Sequence, residues 1–173
     1  MKLVVYYNSP PTQKLKNYFT IHFSVTYYQN SRMQKVLESK YLNIIYTPHL
    51  KLLSIDYQLT TEEITEQEWK ELMHSILRNI GKYDPYFLIS DNRDMKFVIS
   101  LDLQVWFAKE IYEFIQKQPI RLEKFALILP QDLIAELSVQ QTVDESKAMQ
   151  LKSPYKQKIF TEVIEAEKWI FEN

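Results

Sequence analysis

Asp91, Asn92, Arg93 and Asp94 stand together directly after the apolar run Phe87–Leu88–Ile89. Two acids, an amide and a guanidinium at the end of a buried strand are the side chains of a recognition loop, since ligands of open α/β sheets bind beyond the carboxyl ends of strands. In that reading Arg93 supplies charge pairing to a protein partner and Asn92 supplies hydrogen bonds. The competing reading is plainer: a buried strand must reach the surface, and polar residues solvate the turn. Asp91 can also cap its own turn. An acid after a buried strand is where a phosphate-accepting aspartate would sit. That chemistry needs a metal held by further acids, and a cation on the phosphoryl group. Asp94 and Asp102 are near in sequence, but no other strand end offers an acidic pair.

Other chemistries have less material. The three histidines, His22, His49 and His74, are far apart, and none stands in an HxxxH spacing. The chain has no cysteine, which removes thiolate nucleophiles, disulfides and Cys-ligated zinc. It has one glycine, Gly81. Phosphate-cradling loops need several glycines to let backbone approach the ligand, so neither GxGxxG nor a Walker loop is present. There is no Gly-x-Ser-x-Gly elbow. With 22 acids, carboxylate pairs arise by chance and give hydrolysis no specific support. No catalytic constellation, metal site or cofactor is expected.

The 173 residues suffice for one domain with its own core, and 46 % hydrophobic content is ordinary for a globular chain. A net charge of -1 gives no reason to expect nucleic acid. The basic charge is concentrated early, however. Lys2, Lys14, Lys16, Arg32, Lys35 and Lys40 face a single acid, Glu38, in the first forty residues. Residues 1–32 also interleave seven aromatics, Tyr6, Tyr7, Tyr18, Phe19, Phe23, Tyr27 and Tyr28, a composition that can stack single-stranded nucleic acid. A disordered arm and a short added hairpin are the other readings of this segment, and Met33 offers an alternative start. No apolar run approaches the roughly 18 residues of a membrane span. The N-terminus lacks a secretory pattern, and a cytoplasmic location is the default expectation.

The elements that must position these residues follow from periodicity. Leu42, Ile44 and Tyr46 alternate with Tyr41, Asn43 and Ile45, and Leu53, Ile55, Tyr57 and Leu59 alternate with Ser54, Asp56 and Gln58, with Thr47–Pro48–His49 between the two runs. Period two predicts an antiparallel hairpin. Thr65 and Glu68 form a capping box, with Ile64 and Trp69 as its hydrophobic staple. The spacing of Trp69, Leu72, Met73, Ile76, Leu77 and Ile80 predicts a helix over 66–80. Gly81 is expected as its left-handed cap. Phe87–Ile89 and Phe125–Leu129 read as buried parallel strands. A helix is expected over 101–118, burying Val105, Ala108, Ile111, Tyr112 and Ile115. A broken helix is expected over 132–151, recapped at Ser138. A strand at Lys158–Phe160 and a helix capped by Thr161, burying Ile164, Ala166, Trp169 and Ile170, close the chain. Trp106, Phe107, Tyr112 and Phe114 cannot all point inwards. Phe107 and Phe114, seven apart, share a face and mark a candidate exposed patch for a partner, lipid or second copy.

The order ββαβαβαβα predicts an α/β fold with a single mixed β-sheet of four to five strands backed by about four helices. In that order the pieces VLESKYLNIIY, ITEQEWKELMHSIL, FLISDNRDM, FALILPQDLIAELSV and KIFTEVIEAEKWI resemble the STAS domains (sulfate transporter and anti-sigma-factor antagonist), especially stand-alone bacterial members. The resemblance covers about residues 36–173 and leaves 1–35 as a basic aromatic extension. It implies a non-enzymatic regulatory module that binds a protein partner, in classical members often a kinase-like anti-sigma factor. The family's phosphoacceptor is a Ser or Thr directly after an Asp. Here that Asp is Asp91 and the next residue is Asn92, which has no hydroxyl. The fold carries over and the phospho-switch does not. A small-ligand or lipid carrier is the alternative from a different class, and a homodimer is a further expectation.

Overall fold

The computed structural model describes residues 33–149 and 155–172, so the basic aromatic segment and His22 lie outside the described residues. The expected α/β fold is present as one mixed sheet with β1 (Gln34–Glu38), β2 (Leu42–Thr47), β3 (Leu52–Tyr57), β4 (Phe87–Asp91), β5 (Lys124–Ile128) and β6 (Lys156–Phe160). The helices are α1 (Glu66–Tyr83), α2 (Leu101–Lys117), α3 (Leu133–Met149) and α4 (Val163–Phe171). Among the described residues the sheet has six strands rather than four to five. The extra one is β1, which lies partly in the stretch assigned to the extension. It pairs antiparallel with β2 through a bulge between Lys35 and Leu37, and that irregularity hides its alternation in the sequence.

The strands lie in the order of the chain, β1 to β6. The β2–β3 hairpin is antiparallel, while β3 to β6 are parallel. Each parallel pair is joined through a helix. Helices α1, α2 and α3 share one face of the sheet, in a core with Leu42, Ile44, Leu53, Ile55, Leu88 and Leu127. Among the described residues helix α4 alone covers the other face, against Leu52, Ile89, Ala126, Ile128 and Phe160.

Helix α1 starts as the sequence dictates. Thr65 Oγ1 accepts from the Glu68 amide at 3.3 Å, and Glu68 Oε2 accepts from the Thr65 amide at 2.9 Å. Its end differs from expectation. The helix runs through Gly81 to Tyr83, and Asp84 takes the left-handed position at φ 44°. Asp84 holds that turn by accepting from the Arg121 amide at 3.0 Å. Gly81 is helical, and its small size has another use. A Cβ there would stand 2.7 Å from the Gln118 side chain, whose amide donates to the Gly81 carbonyl at 3.1 Å.

Three further local expectations are corrected. Helix α3 is continuous, capped by Asp132 Oδ1, which accepts from the Ile134 and Ala135 amides at 3.0 Å each. Ser138 is interior instead: its hydroxyl donates to the Ala135 carbonyl and accepts from the Ile99 amide. Helix α4 begins after Glu162 rather than Thr161, and its Ile164 is exposed. In α2 the buried face is rotated: Leu103, Gln104 and Ala108 are buried, whereas Val105 and Tyr112 are exposed.

Candidate functional site: a cavity under the helices

The four loop residues divide between the two faces of the sheet. Strand alternation sends Ser90 and Asn92 to the three-helix side and Asp91 to the other. Asn92 is 4 % exposed. Its Oδ1 accepts from Ser90 Oγ at 2.9 Å, its amide donates to the Ile128 carbonyl, and its own carbonyl accepts from the Met95 amide. The hydrogen bonding expected toward a partner is therefore turned inward. Arg93 is also engaged: Nη2 reaches Asp91 Oδ2 at 2.8 Å and Nε reaches Oδ1 at 2.9 Å. This bidentate pair holds the guanidinium's proton more tightly than usual. Asp94 alone of the four is fully exposed.

An acid unforeseen in the sequence completes this cluster. Asp56, at the end of β3, is the register partner of Asp91 across the parallel pair. In the sequence it looked like the solvent face of an alternating strand; parallel pairing with β4 brings the two strand ends together. Asp56 is solvent-exposed, but lost hydration where the strand ends crowd together, with the charges of Asp91 and Asp94 behind it, raises its carboxyl above the ordinary carboxylate range, while Gln58 and Arg93 pull the other way. A raised folded-state pKa means that the folded chain holds this proton more tightly than the unfolded one. Its contribution is fully present below the ordinary carboxylate pKa and is lost as pH rises through the folded value. Asp56→Asn is expected to be more stable than the parent at about pH 7 and to lose that advantage by about pH 3, read from urea midpoints at both.

Among the described residues no group of three or more ligating side chains is placed to hold a metal. His49 sits in the turn Pro48–Leu50. His74 Nε2 lies 3.1 Å from Glu110 Oε2 of α2, with its ring edge-on to Trp106. Neither histidine approaches the loop cluster by any contact the structure shows. The sequential strand order also has no switch point at which crossovers reverse, the feature that opens a ligand crevice beyond strand ends.

Asp94 borders an open, polar hollow of about 380 Å³ that it shares with Lys40, Asn43 and Gln58; the apolar concave feature lies elsewhere. Between the sheet and α1, α2 and α3 is a cavity of about 140 Å³. Its floor includes Ile55, Tyr57 and Leu88, its walls Met73 and Ile80 of α1 and Val143 of α3. It exists because α2 packs closely along α3 but diverges from α1. The gap is only half closed by α2, whose Ile111, Phe114 and Ile115 are part-buried. Phe107 and Phe114 both line it. Their seven-residue spacing puts them on one face, as expected, but that face looks inward, and the expected exposed aromatic patch is not there. Exposed apolar side chains stand instead on the outer faces of α2 and α3, with Leu101 at 71 % and Ile134 at 56 % exposed.

The cavity is chemically uniform. Among the described residues no Asp, Glu, Lys, Arg or His lines it. Tyr57 is the buried titratable group on its floor, and burial pushes its phenol well above the ordinary range, so it stays neutral. Ser90, Asn92, Thr142, Ser146, Tyr155 and Gln157 contribute scattered polar atoms to a mostly apolar wall. Trp69 lines it too, fixed at 2 % exposure among Phe97, Trp106 and Phe107. Its indole Nε1–H is buried with no acceptor among the described residues. Among the described residues no helix is long and apolar enough to cross a membrane. No family model matches the chain, and neither a curated protein nor a solved structure matches it.

Proposed function

We propose that this domain is a non-enzymatic binding module that takes a small apolar molecule between its sheet and its three-helix layer. The carrying observation is the cavity itself. Protein interiors pack to crystal density and leave few voids larger than a water. At about 24 cal/mol per Å³ of hollow, a 140 Å³ cavity costs about 3 kcal/mol. That is a large share of the roughly 5–15 kcal/mol that holds a domain together. A bound molecule offsets this cost. Among the described residues the wall carries no Asp, Glu, Lys, Arg or His, which supports binding over acid–base or nucleophilic catalysis.

The STAS-like frame stays within this proposal. The chain order, the mixed sheet and the helices on its faces support it. A regulatory module contacting a protein partner is the second reading. It is favoured by the exposed aliphatic side chains of α2 and α3, more than by Asp91–Asp94, where Arg93 and Asn92 are internally paired.

The test is calorimetric titration with naphthalene, followed by thermal unfolding. Saturable binding is expected, and ligand at about ten times its Kd should add about 1.4 kcal/mol and raise Tm by roughly 4 °C. Absence of both heat and Tm shift, for naphthalene and for the smaller toluene, would overturn the proposal.

A further inference from the structure

The walls of the cavity select among apolar molecules, and we infer that its ligand is a neutral compound of one or two rings carrying a hydrogen-bond acceptor such as a ketone. The inference rests on the binding reading above and adds the chemical class.

Three observations carry it. The first is size. A cavity of about 140 Å³ is close to the engineered one of about 150 Å³ that holds benzene, and it is only partly enclosed, so its occupant can extend past a single ring. A long acyl chain does not fit within it. The second is charge. A carboxylate, phosphate or ammonium would enter a wall with no ionised partner among the described residues, and desolvating an unpaired ion costs far more than the apolar contacts return. The third is the polarity of the orphaned atoms. The indole Nε1–H of Trp69 is a donor and cannot accept, and it has no acceptor among the described residues. Asn92 is a second donor: its Oδ1 accepts from Ser90 Oγ, and its carboxamide Nδ2 donates to no described residue. Both residues line the cavity. A buried donor left unmade is costly, and a ligand oxygen satisfies it.

Three probes of one shape separate these features: indane, its ketone indanone, and indane carboxylate. Each is titrated into the full chain by calorimetry, and the ¹H–¹⁵N spectrum of the indole N–H groups is followed alongside. Indane and indanone are expected to bind, with the carboxylate at least roughly thirtyfold weaker. Indanone should move the Trp69 indole signal downfield, and indane should not. Trp69→Phe should lower the preference for indanone over indane by roughly threefold to tenfold, the span of one hydrogen bond. A general loosening of the wall would weaken both probes alike and leave that ratio unmoved. Where Trp69→Phe fails to fold, Trp106→Phe and Trp169→Phe assign the Trp69 signal by elimination, and its shift alone decides.

An unchanged ratio in the folded variant, an indole signal blind to indanone, or a carboxylate that binds best would overturn the inference while leaving the cavity as a binding site. If neither indane nor indanone binds, the binding reading falls and takes this inference with it.

Discussion

Trp69→Ala should remove about 4 kcal/mol of stability, the middle of the range for deleting a large buried aromatic. Trp69 is 2 % exposed and is the fourth residue of a well-capped helix. Its ring lies 5.9 Å from Phe97, 5.4 Å from Phe107 and 6.1 Å from Trp106. It is thus the pivot through which α1, α2 and the strand-to-helix connection after β4 meet. The missing indole would join a space that is already hollow, so the surroundings have little with which to collapse, and the cost stays at the full cavity value. Urea unfolding followed by circular dichroism measures it. A loss under about 1 kcal/mol would mean that the three elements do not rely on this cluster.

Val143→Phe should have the opposite sign. Val143 is 6 % exposed and projects into the cavity from α3. In a close-packed core such an enlargement forces neighbours off their rotamers and costs about 1–3 kcal/mol. Here the added ring has about 140 Å³ to enter. The domain should therefore gain up to about 2 kcal/mol, part of what the hollow costs. The same ring occupies the ligand's place, so affinity for naphthalene should fall by at least roughly a hundredfold. Stabilisation with loss of binding is the paired signature of a filled site. Destabilisation with binding intact would place the ligand elsewhere.

How much was legible in the residues depended on whether the information was local. The α1 start was fully readable, because Thr65, Glu68, Ile64 and Trp69 lie within one turn and their spacing carries its own mechanism. The α/β class was readable from the alternation of periods. The end of α1 was misread because Gly81 is the favoured residue for a left-handed cap, whereas a hydrogen bond from Arg121 lets Asp84 take that conformation. Phe107 and Phe114 were correctly placed on one face. Which way that face looks depends on the rotation of α2 over a cavity, and spacing alone cannot report that. Asp56 was missed for a related reason: its meeting with Asp91 is set by parallel register across 35 residues of chain, and local pattern carries no trace of it. Nothing in the sequence marks the cavity, because an unfilled space is made of the same Ile, Leu and Phe as a filled one.

The strand order that leaves no crevice at the strand ends also shapes how the chain acquires its structure. Among the described residues strands pair only with their neighbours in sequence, and none is inserted between earlier ones. Most long-range pairing therefore closes a loop no longer than one helix and its turns, which keeps the mean sequence separation of contacts low for a sheet protein. The β2–β3 hairpin, with only the turn Pro48–Leu50 to close, is the smallest such loop. Once it stands, β4, β5 and β6 can each dock with its helix onto an edge already built, like units added to the end of a row. A chain emerging from the ribosome meets its partners in the order in which it is made. Helix α4 comes last, and it covers the one sheet face that the preceding helices leave bare.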